Sequence, residues 1–126
     1  MDGMTIQECY QRMGGDYNEV VTRLLNERLV ARFVCRFPED RSYEQLVTCM
    51  KEGDREGAFR AAHTLKGVCQ NLGLGQLKVS VELLTELLRP ATEGISGHAA
   101  EVFQMVQENY RSTLNTINAF RASENG

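Results

Sequence analysis

The sequence lacks the features that mark a membrane-spanning or a mainly β chain. It has only two prolines, its β-branched runs are short, and no stretch of about twenty residues is predominantly apolar. No basic segment leads into an apolar one near the N-terminus, so the sequence shows no signal peptide. We therefore expect a cytoplasmic protein that neither crosses nor binds a membrane.

An excess of positive charge is also lacking. The chain carries 14 lysines and arginines against 17 aspartates and glutamates, which gives a formal net charge of -3. Electrostatic binding of nucleic acid requires a basic field that this balance does not supply. We expect proteins or small molecules as partners and no nucleic acid.

Metal-ligand spacing is absent as well, because no pair of cysteines or histidines has the separation typical of a ligand motif. The four cysteines each fall among apolar residues of a helical pattern: Cys9, Cys35, Cys49 and Cys69. A free thiol in such a position behaves as a small hydrophobic side chain. We predict reduced core cysteines, no metal site and no cofactor bound by this chain.

The apolar residues that are present recur at spacings of three and four, which predicts an all-α fold. With 126 residues and 42% hydrophobic content, the chain can form one compact core, so residues 1–126 are taken as a single domain. Short helices are predicted within residues 1–38, where side-chain caps are available at Thr5, Asp16 and Asn26. Pro38 ends this N-terminal helical segment.

An antiparallel four-helix bundle is predicted over residues 42–121, with helices that begin near residues 42, 54, 76 and 98. A capping box is predicted to start the first helix at Ser42. The second helix is predicted over 54–72, with Gly73 as a left-handed terminator. The stretch from Pro90 to Gly97 is predicted to be a loop, and the short N-terminal helices are expected to lie across one end of the bundle.

The predicted helix over 54–72 carries a histidine that faces away from the core. Winding the sequence as a helix gathers the apolar residues on one arc: Ala58, Ala61, Ala62, Leu65, Val68, Cys69 and Leu72. His63 falls on the opposite side, so we expect its imidazole to face solvent. A lone exposed histidine usually has no special role. Whether His63 has a chemical role must therefore be judged from the residues around it.

These neighbours favour a chemical role. Gly67 lies in mid-helix, one turn beyond His63 on the same side, where glycine costs about 1 kcal/mol relative to alanine and would let a partner approach the ring. Lys66 can place an ammonium beside an anion attached to the imidazole, and Arg60 and Gln70 share this side. An exposed neutral imidazole is a nucleophile, and phosphoryl transfer needs mainly alignment and charge stabilisation.

The same residues resemble the signature of the histidine-containing phosphotransfer (HPt) domain family of two-component phosphorelays. The resemblance rests on Ala62-His63-Thr64-Leu65-Lys66-Gly67 followed by Asn71-Leu72-Gly73, and the bundle over 42–121 is similar to the family's architecture. It implies that His63 accepts a phosphoryl group from the aspartyl phosphate of a receiver domain and donates it to another receiver. Lys66 and Gly67 match the family's positions for phosphate stabilisation and close approach, and Gln70 matches a polar border position.

The resemblance also implies the kind of partner. The protein would be a phosphocarrier without kinase activity of its own, and its partners would be the receiver domains of response regulators and hybrid histidine kinases. Mg²⁺ is expected on the partner receiver domain. We expect Arg60 and Gln70 to contribute to phosphate stabilisation or docking, and we expect a monomer because a four-helix bundle can be complete within one chain.

Other interpretations remain open at this point. A non-catalytic interaction bundle with an inert His63 is the main alternative. A histidine-kinase dimerisation fragment is disfavoured, since Thr64 rather than an acidic residue follows His63 and no glycine-rich nucleotide site is present. A metal or haem bundle is disfavoured because His98 lies beside a loop and has no partner at ligand spacing.

Overall fold

The computed structural model describes residues 3–89 and 94–125, and within them the chain forms seven α-helices and one short 3-10 helix, with no strand. The α-helices are α1 (Ile6–Arg12), α2 (Tyr17–Leu24), α3 (Glu27–Arg36), α4 (Ser42–Glu52), α5 (Arg55–Leu72), α6 (Gly75–Leu87) and α7 (Gly97–Asn125), and the 3-10 helix spans Phe37–Glu39. The predicted all-α class is confirmed. Residues 90–93 of the predicted Pro90–Gly97 loop lie outside the described residues, and Gly97 is not a loop residue but the first residue of α7.

Helices α4 to α7 form the predicted antiparallel four-helix bundle. Helix α4 packs along α5, α5 along α6, and α6 along α7. The core receives fully buried side chains from each of the four: Leu46, Leu65, Leu84 and Val106. Helices α4 and α7 meet at a stacked pair of tyrosines, Tyr43 and Tyr110, whose ring centroids are 3.6 Å apart.

Helix α5 begins and ends where its sequence predicts. The carboxylate of Asp54 accepts a hydrogen bond from the backbone N–H of Gly57 at 2.9 Å, which caps the first turn. At the other end Gly73 has a φ of 65°, and the N–H of Leu74 donates to the carbonyl of Cys69 at 3.0 Å. This left-handed ending satisfies the last carbonyls of the helix and turns the chain into α6.

The predicted capping box at Ser42 is wrong. Ser42 is already the first helical residue of α4, and its backbone N–H donates to the carboxylate of Asp40 at 2.9 Å. An aspartate just before a helix is as good an acceptor as a serine, so Asp40 takes the role assigned to Ser42. The other predicted caps are confirmed, at Thr5, Asp16 and Asn26.

The N-terminal helices lie across the end of the bundle where α5 turns into α6. The backbone N–H of Gln76 donates to the carbonyl of Met13 at 3.1 Å. A Cβ on Gly75 would overlap the carbonyl of Gly14, so two turns of the chain meet backbone to backbone. The hydroxyl of the buried Tyr10 donates to the last carbonyl of α5. The N-terminal segment is therefore an integral cover of this end.

All four cysteines are free thiols, but they differ in burial. Cys9 and Cys69 are buried, and burial raises the pKa of each thiol to about 12. Such thiols are protonated near neutral pH and pack as apolar groups. Cys35 and Cys49 are only half-buried, so the prediction of core cysteines holds for two of the four.

The longest helix is α7, with 29 residues. Its buried stripe packs on the other bundle helices and then on the N-terminal helices, through Ala99, Val102, Val106, Thr113, Ile117 and Phe120. The helix runs four residues beyond the predicted end near 121. Within the described ranges, no helix combines the length and apolar content that a membrane crossing needs.

Candidate functional site

The imidazole of His63 projects from the middle of α5 on its solvent side. The opposite side of this helix is buried against the bundle, and its residues are at most 5% exposed: Ala58, Ala61, Ala62, Leu65 and Cys69. His63 is exposed, as the helical periodicity predicts. The ring therefore stands where another protein can reach it.

Gly67 leaves open space one turn beyond His63. Among the residues that the structure describes, no atom outside the helix lies within 4 Å of a Cβ built on Gly67. Gly57 of the same helix is different, because the Asp54 carboxylate and the Cys49 sulfur occupy the space where its side chain would stand. Packing within the chain therefore explains a glycine at 57 but not at 67.

Charged side chains lie along the seam between α5 and α6. Arg89 donates two hydrogen bonds to Glu86, from Nε at 2.8 Å and from Nη2 at 2.9 Å. These bonds have the largest effect on the pKa of the Glu86 carboxyl and hold it below its usual range. Desolvation opposes them, and the charges of Arg89 and Lys66 lower the pKa further by smaller amounts. Lys66 itself is half-buried.

Phe59 joins this cluster to His63. The two rings are nearly parallel, at 17°, with centroids 6.1 Å apart. The guanidinium of Arg89 lies over the Phe59 ring, 5.6 Å from its centroid, in cation–π geometry. A continuous series of aromatic and cationic groups therefore leads from the end of α6 to the imidazole.

The other two predicted site residues share the solvent side of α5 but lie at the border of the site. The Nη1 of Arg60 donates to Glu56 at 3.0 Å, so the guanidinium is directed toward the start of the helix and away from His63. Gln70 is exposed, almost two turns beyond His63, and its backbone carbonyl accepts a hydrogen bond from Arg23 at 3.1 Å. Lys66 and Gly67 follow His63 by three and four residues on the same helix.

Comparison with known proteins provides independent evidence for the family of this chain. A family model described as Hpt domain matches residues 28–119, which is well over half of the chain and includes all of α5. The chain belongs to the Hpt domain family. Hpt domains act in phosphotransfer within two-component phosphorelays and interact with receiver domains. No curated protein and no solved structure matches the chain.

The resemblance read from the α5 motif is thereby confirmed at the level of the family. The Hpt match begins at Arg28, so α1 and α2 lie outside it. In this Hpt domain they still contribute to α5, because Arg23 donates to the carbonyls of Gln70 and Asn71 in its last turn. Residues outside the match thus support the helix that carries His63.

Two residues of the Hpt motif region depart from the predicted core arc. Val68 and Leu72 are half-buried rather than buried. They line an open, largely apolar groove of about 440 Å³, together with Leu24, Phe33 and Phe37. Their prediction as full core residues is wrong because α2, α3 and the 3-10 helix cover that side of α5 only in part.

Sequence reasoning missed Phe59, Glu86 and Arg89. For Phe59 a signal was available, since a residue four positions before His63 shares its helix face. For Arg89 the signal was the predicted hairpin of α5 and α6. Phe59 and Arg89 are nearly equally far in sequence from the turn at Gly73, so antiparallel packing places them opposite each other. Within the described residues of this Hpt domain, no group of three or more His, Cys, Asp or Glu side chains is arranged to hold a metal ion.

Proposed function

We propose that this Hpt domain carries its phosphoryl group on His63. The group would come from the aspartyl phosphate of one receiver domain and pass to the aspartate of another. The observation that carries this proposal is the exposed imidazole beside the open space at Gly67. Transfer between two proteins requires the reacting atoms to approach in line, and that approach needs an unobstructed nucleophile.

The chemistry is a direct exchange of one bond to phosphorus for another. The unprotonated ring nitrogen of His63 attacks the phosphorus of the acyl phosphate, and the nitrogen–phosphorus bond forms as the bond from phosphorus to the aspartate oxygen breaks. The carboxylate leaves with the electron pair of that bond. In the second transfer the roles are reversed, and a carboxylate of the next receiver displaces the imidazole.

Charge stabilisation accounts for the residues beside the nucleophile. The transition state is loose, with negative charge on the peripheral phosphoryl oxygens, so cations placed near those oxygens lower the barrier. Our proposal assigns this task to Lys66, while Arg60 and Gln70 border the docking surface. Mg²⁺ is assigned to the receiver, and this chain is proposed to bind no cofactor of its own.

Several broader properties accompany this proposal. We infer that the chain is a phosphocarrier without kinase activity, that its partners are receiver domains of response regulators and hybrid histidine kinases, and that it works as a monomer in the cytoplasm. A core that closes within one chain supports the monomer. The four free thiols support a reducing compartment.

A pair of histidine variants tests the assignment. His63→Gln should abolish labelling by a phosphorylated receiver domain and leave the helical circular dichroism unchanged, because the side chain is exposed. His98→Gln is the matched control, since His98 is the other histidine and is also exposed. Its labelling should equal that of the unchanged chain.

Two results would contradict the proposal. Undiminished labelling of His63→Gln would exclude His63 as the acceptor. Failure of the unchanged chain to accept phosphate from any receiver domain of its host would favour the interaction bundle with an inert histidine.

A further inference from the structure

The cluster between α5 and α6 contains a residue that the family motif on α5 does not include. We propose that Arg89 binds the phosphoryl group carried by His63, and that Glu86 holds Arg89 in position until that group arrives. This inference rests on the proposed function, because it requires a phosphoryl group on His63. It adds a phosphate-binding residue from a second helix and assigns a positioning role to a carboxylate.

Arg89 and His63 both lie against one aromatic ring. The Arg89 guanidinium lies 5.6 Å from the centroid of Phe59, and the His63 ring centroid lies 6.1 Å from it. A planar guanidinium stacks on aromatic faces and can still donate to phosphoryl oxygens from its edge. Phe59 thus holds the guanidinium on the same aromatic ring as the imidazole without occupying the hydrogen-bond donors of Arg89.

Glu86 is suited to hold the Arg89 guanidinium and then release it. Its carboxylate accepts both hydrogen bonds of Arg89. The side chains of Glu86 and Arg89 are 58% and 52% exposed, and ion pairs this exposed are weak. A phosphoryl group carries nearly two negative charges and three acceptor oxygens, so it competes well for the same donors.

Helix capping does not account for Arg89. Arg89 follows the end of α6, where a cation can interact favourably with the helix dipole. However, Arg55 already donates to the carbonyl of Leu88 at 2.9 Å. The guanidinium of Arg89 is instead turned toward Glu86 and Phe59, which is the side of His63.

The test uses the full chain labelled with phosphoramidate, a small donor that requires no receiver domain. The phosphorus–nitrogen bond of phosphoramidate breaks, a bond forms from phosphorus to a histidine ring nitrogen, and ammonia leaves. The exposed His98, at 3.8 Å from Glu101, is open to the same reagent and serves as an internal control. Titration of each phosphoryl group is followed by ³¹P nuclear magnetic resonance.

The expected shifts have opposite signs in the two main variants. Arg89→Ala should move the titration midpoint of the phosphoryl group on His63 upward by about half a pH unit, because a lost cation disfavours the dianion. Glu86→Gln should move it downward, since Arg89 is then free to bind the phosphoryl oxygens. The phosphoryl group on His98 should titrate identically in every sample.

Two further variants separate a local role from a general charge effect. Arg89→Lys should show a smaller upward shift than Arg89→Ala, because lysine keeps the positive charge but lacks the planar fork of donors. Arg121→Ala removes an exposed arginine from α7, near Cys35 and Glu124 at the other end of the bundle, and should leave both titrations unchanged.

The outcomes distinguish this inference from the proposed function. Equal titration of the phosphoryl group on His63 in the unchanged chain, in Arg89→Ala and in Glu86→Gln would overturn the inference and leave the proposed function standing. Labelling of His98 without any labelling of His63 would also overturn it. Normal phosphoramidate results, combined with no transfer from receiver domains, would contradict the proposed function instead.

Discussion

His63 and Gly67 occupy consecutive turns on one face of α5, and neither takes part in the core. A glycine inside an exposed helix lowers the stability of that helix by about 1 kcal/mol relative to alanine. Since no neighbouring element in the described part of the chain occupies the space above Gly67, packing among those residues does not require that loss. Sites that must be approached by a partner are places where a protein retains such a locally unfavourable residue.

Substitutions at Gly67 should therefore separate stability from docking. We expect both Gly67→Ala and Gly67→Leu to raise the free energy of unfolding by about 1 kcal/mol in urea titrations. Only the leucine has enough bulk to displace a receiver, and it should slow phosphotransfer by about tenfold or more. If the leucine variant accepts phosphate as fast as the alanine variant, the clearance argument is wrong.

Lys66 should affect rate and not stability. Lys66→Ala is expected to slow transfer from a receiver by about tenfold, because one cation near the phosphoryl oxygens is lost. The free energy of unfolding should change by less than about 0.5 kcal/mol. Lys51→Ala, at the exposed end of α4, is the control and should alter neither quantity. An unchanged transfer rate for Lys66→Ala would remove this lysine from the mechanism.

At the scale of elements, the decisive contact joins the turn after α1 to the turn between α5 and α6. The N–H of Gln76 reaches the carbonyl of Met13, and Gly15 and Gly75 permit backbone contact where any side chain would collide. This contact positions the C-terminal end of α5, beyond the turn that carries Gly67. The alignment of the reactive face therefore depends partly on residues far from it in sequence.

Two glycines at helix starts provide a controlled test of that contact. Gly75 is the first residue of α6 and Gly97 the first of α7, but only at Gly75 would a Cβ overlap another backbone atom. We expect Gly75→Ala to lower the free energy of unfolding by about 1 to 3 kcal/mol. Gly97→Ala should leave it unchanged or raise it by a few tenths of a kcal/mol. Equal effects of the two substitutions in thermal unfolding would contradict the backbone-to-backbone contact.

The helix ends show how much of the fold could be predicted from the sequence. Helix α5 was predictable because Asp54, a continuous apolar arc and Gly73 all agree. Helix α6 has no side-chain cap at Leu74, and its predicted start was one residue late. Near α4, Asp40 and Ser42 are both good acceptors, and sequence alone does not choose between them.

The candidate site, too, could be predicted from the sequence only in part. His63, Lys66 and Gly67 lie within one turn and a half of a helix, so periodicity alone places them together. Glu86 and Arg89 join them only through the register of the hairpin, which depends on packing between two helices. Burial of Val68 could not be judged because it depends on how completely the N-terminal helices cover α5.

At the scale of the whole molecule, the core extends beyond the region that matches the family. Buried residues of α1 and α2 belong to the same cluster as the bundle, among them Ile6, Tyr10 and Val20. Phe120, just past the matched residues, is buried with them. The domain that folds is therefore larger than residues 28–119.

A chain restricted to residues 28–119 should consequently be less stable than the full chain. Burial of one large apolar side chain contributes about 1.5 to 3 kcal/mol, and this chain would lose several of them. The total loss approaches the 5 to 15 kcal/mol that stabilises a typical domain. We expect a lower urea midpoint and a broader transition for 28–119, and a chain of residues 3–125 should unfold like the full one. If 28–119 unfolded at the same midpoint, the N-terminal helices would be only an accessory cover and α5 would be positioned by the bundle alone.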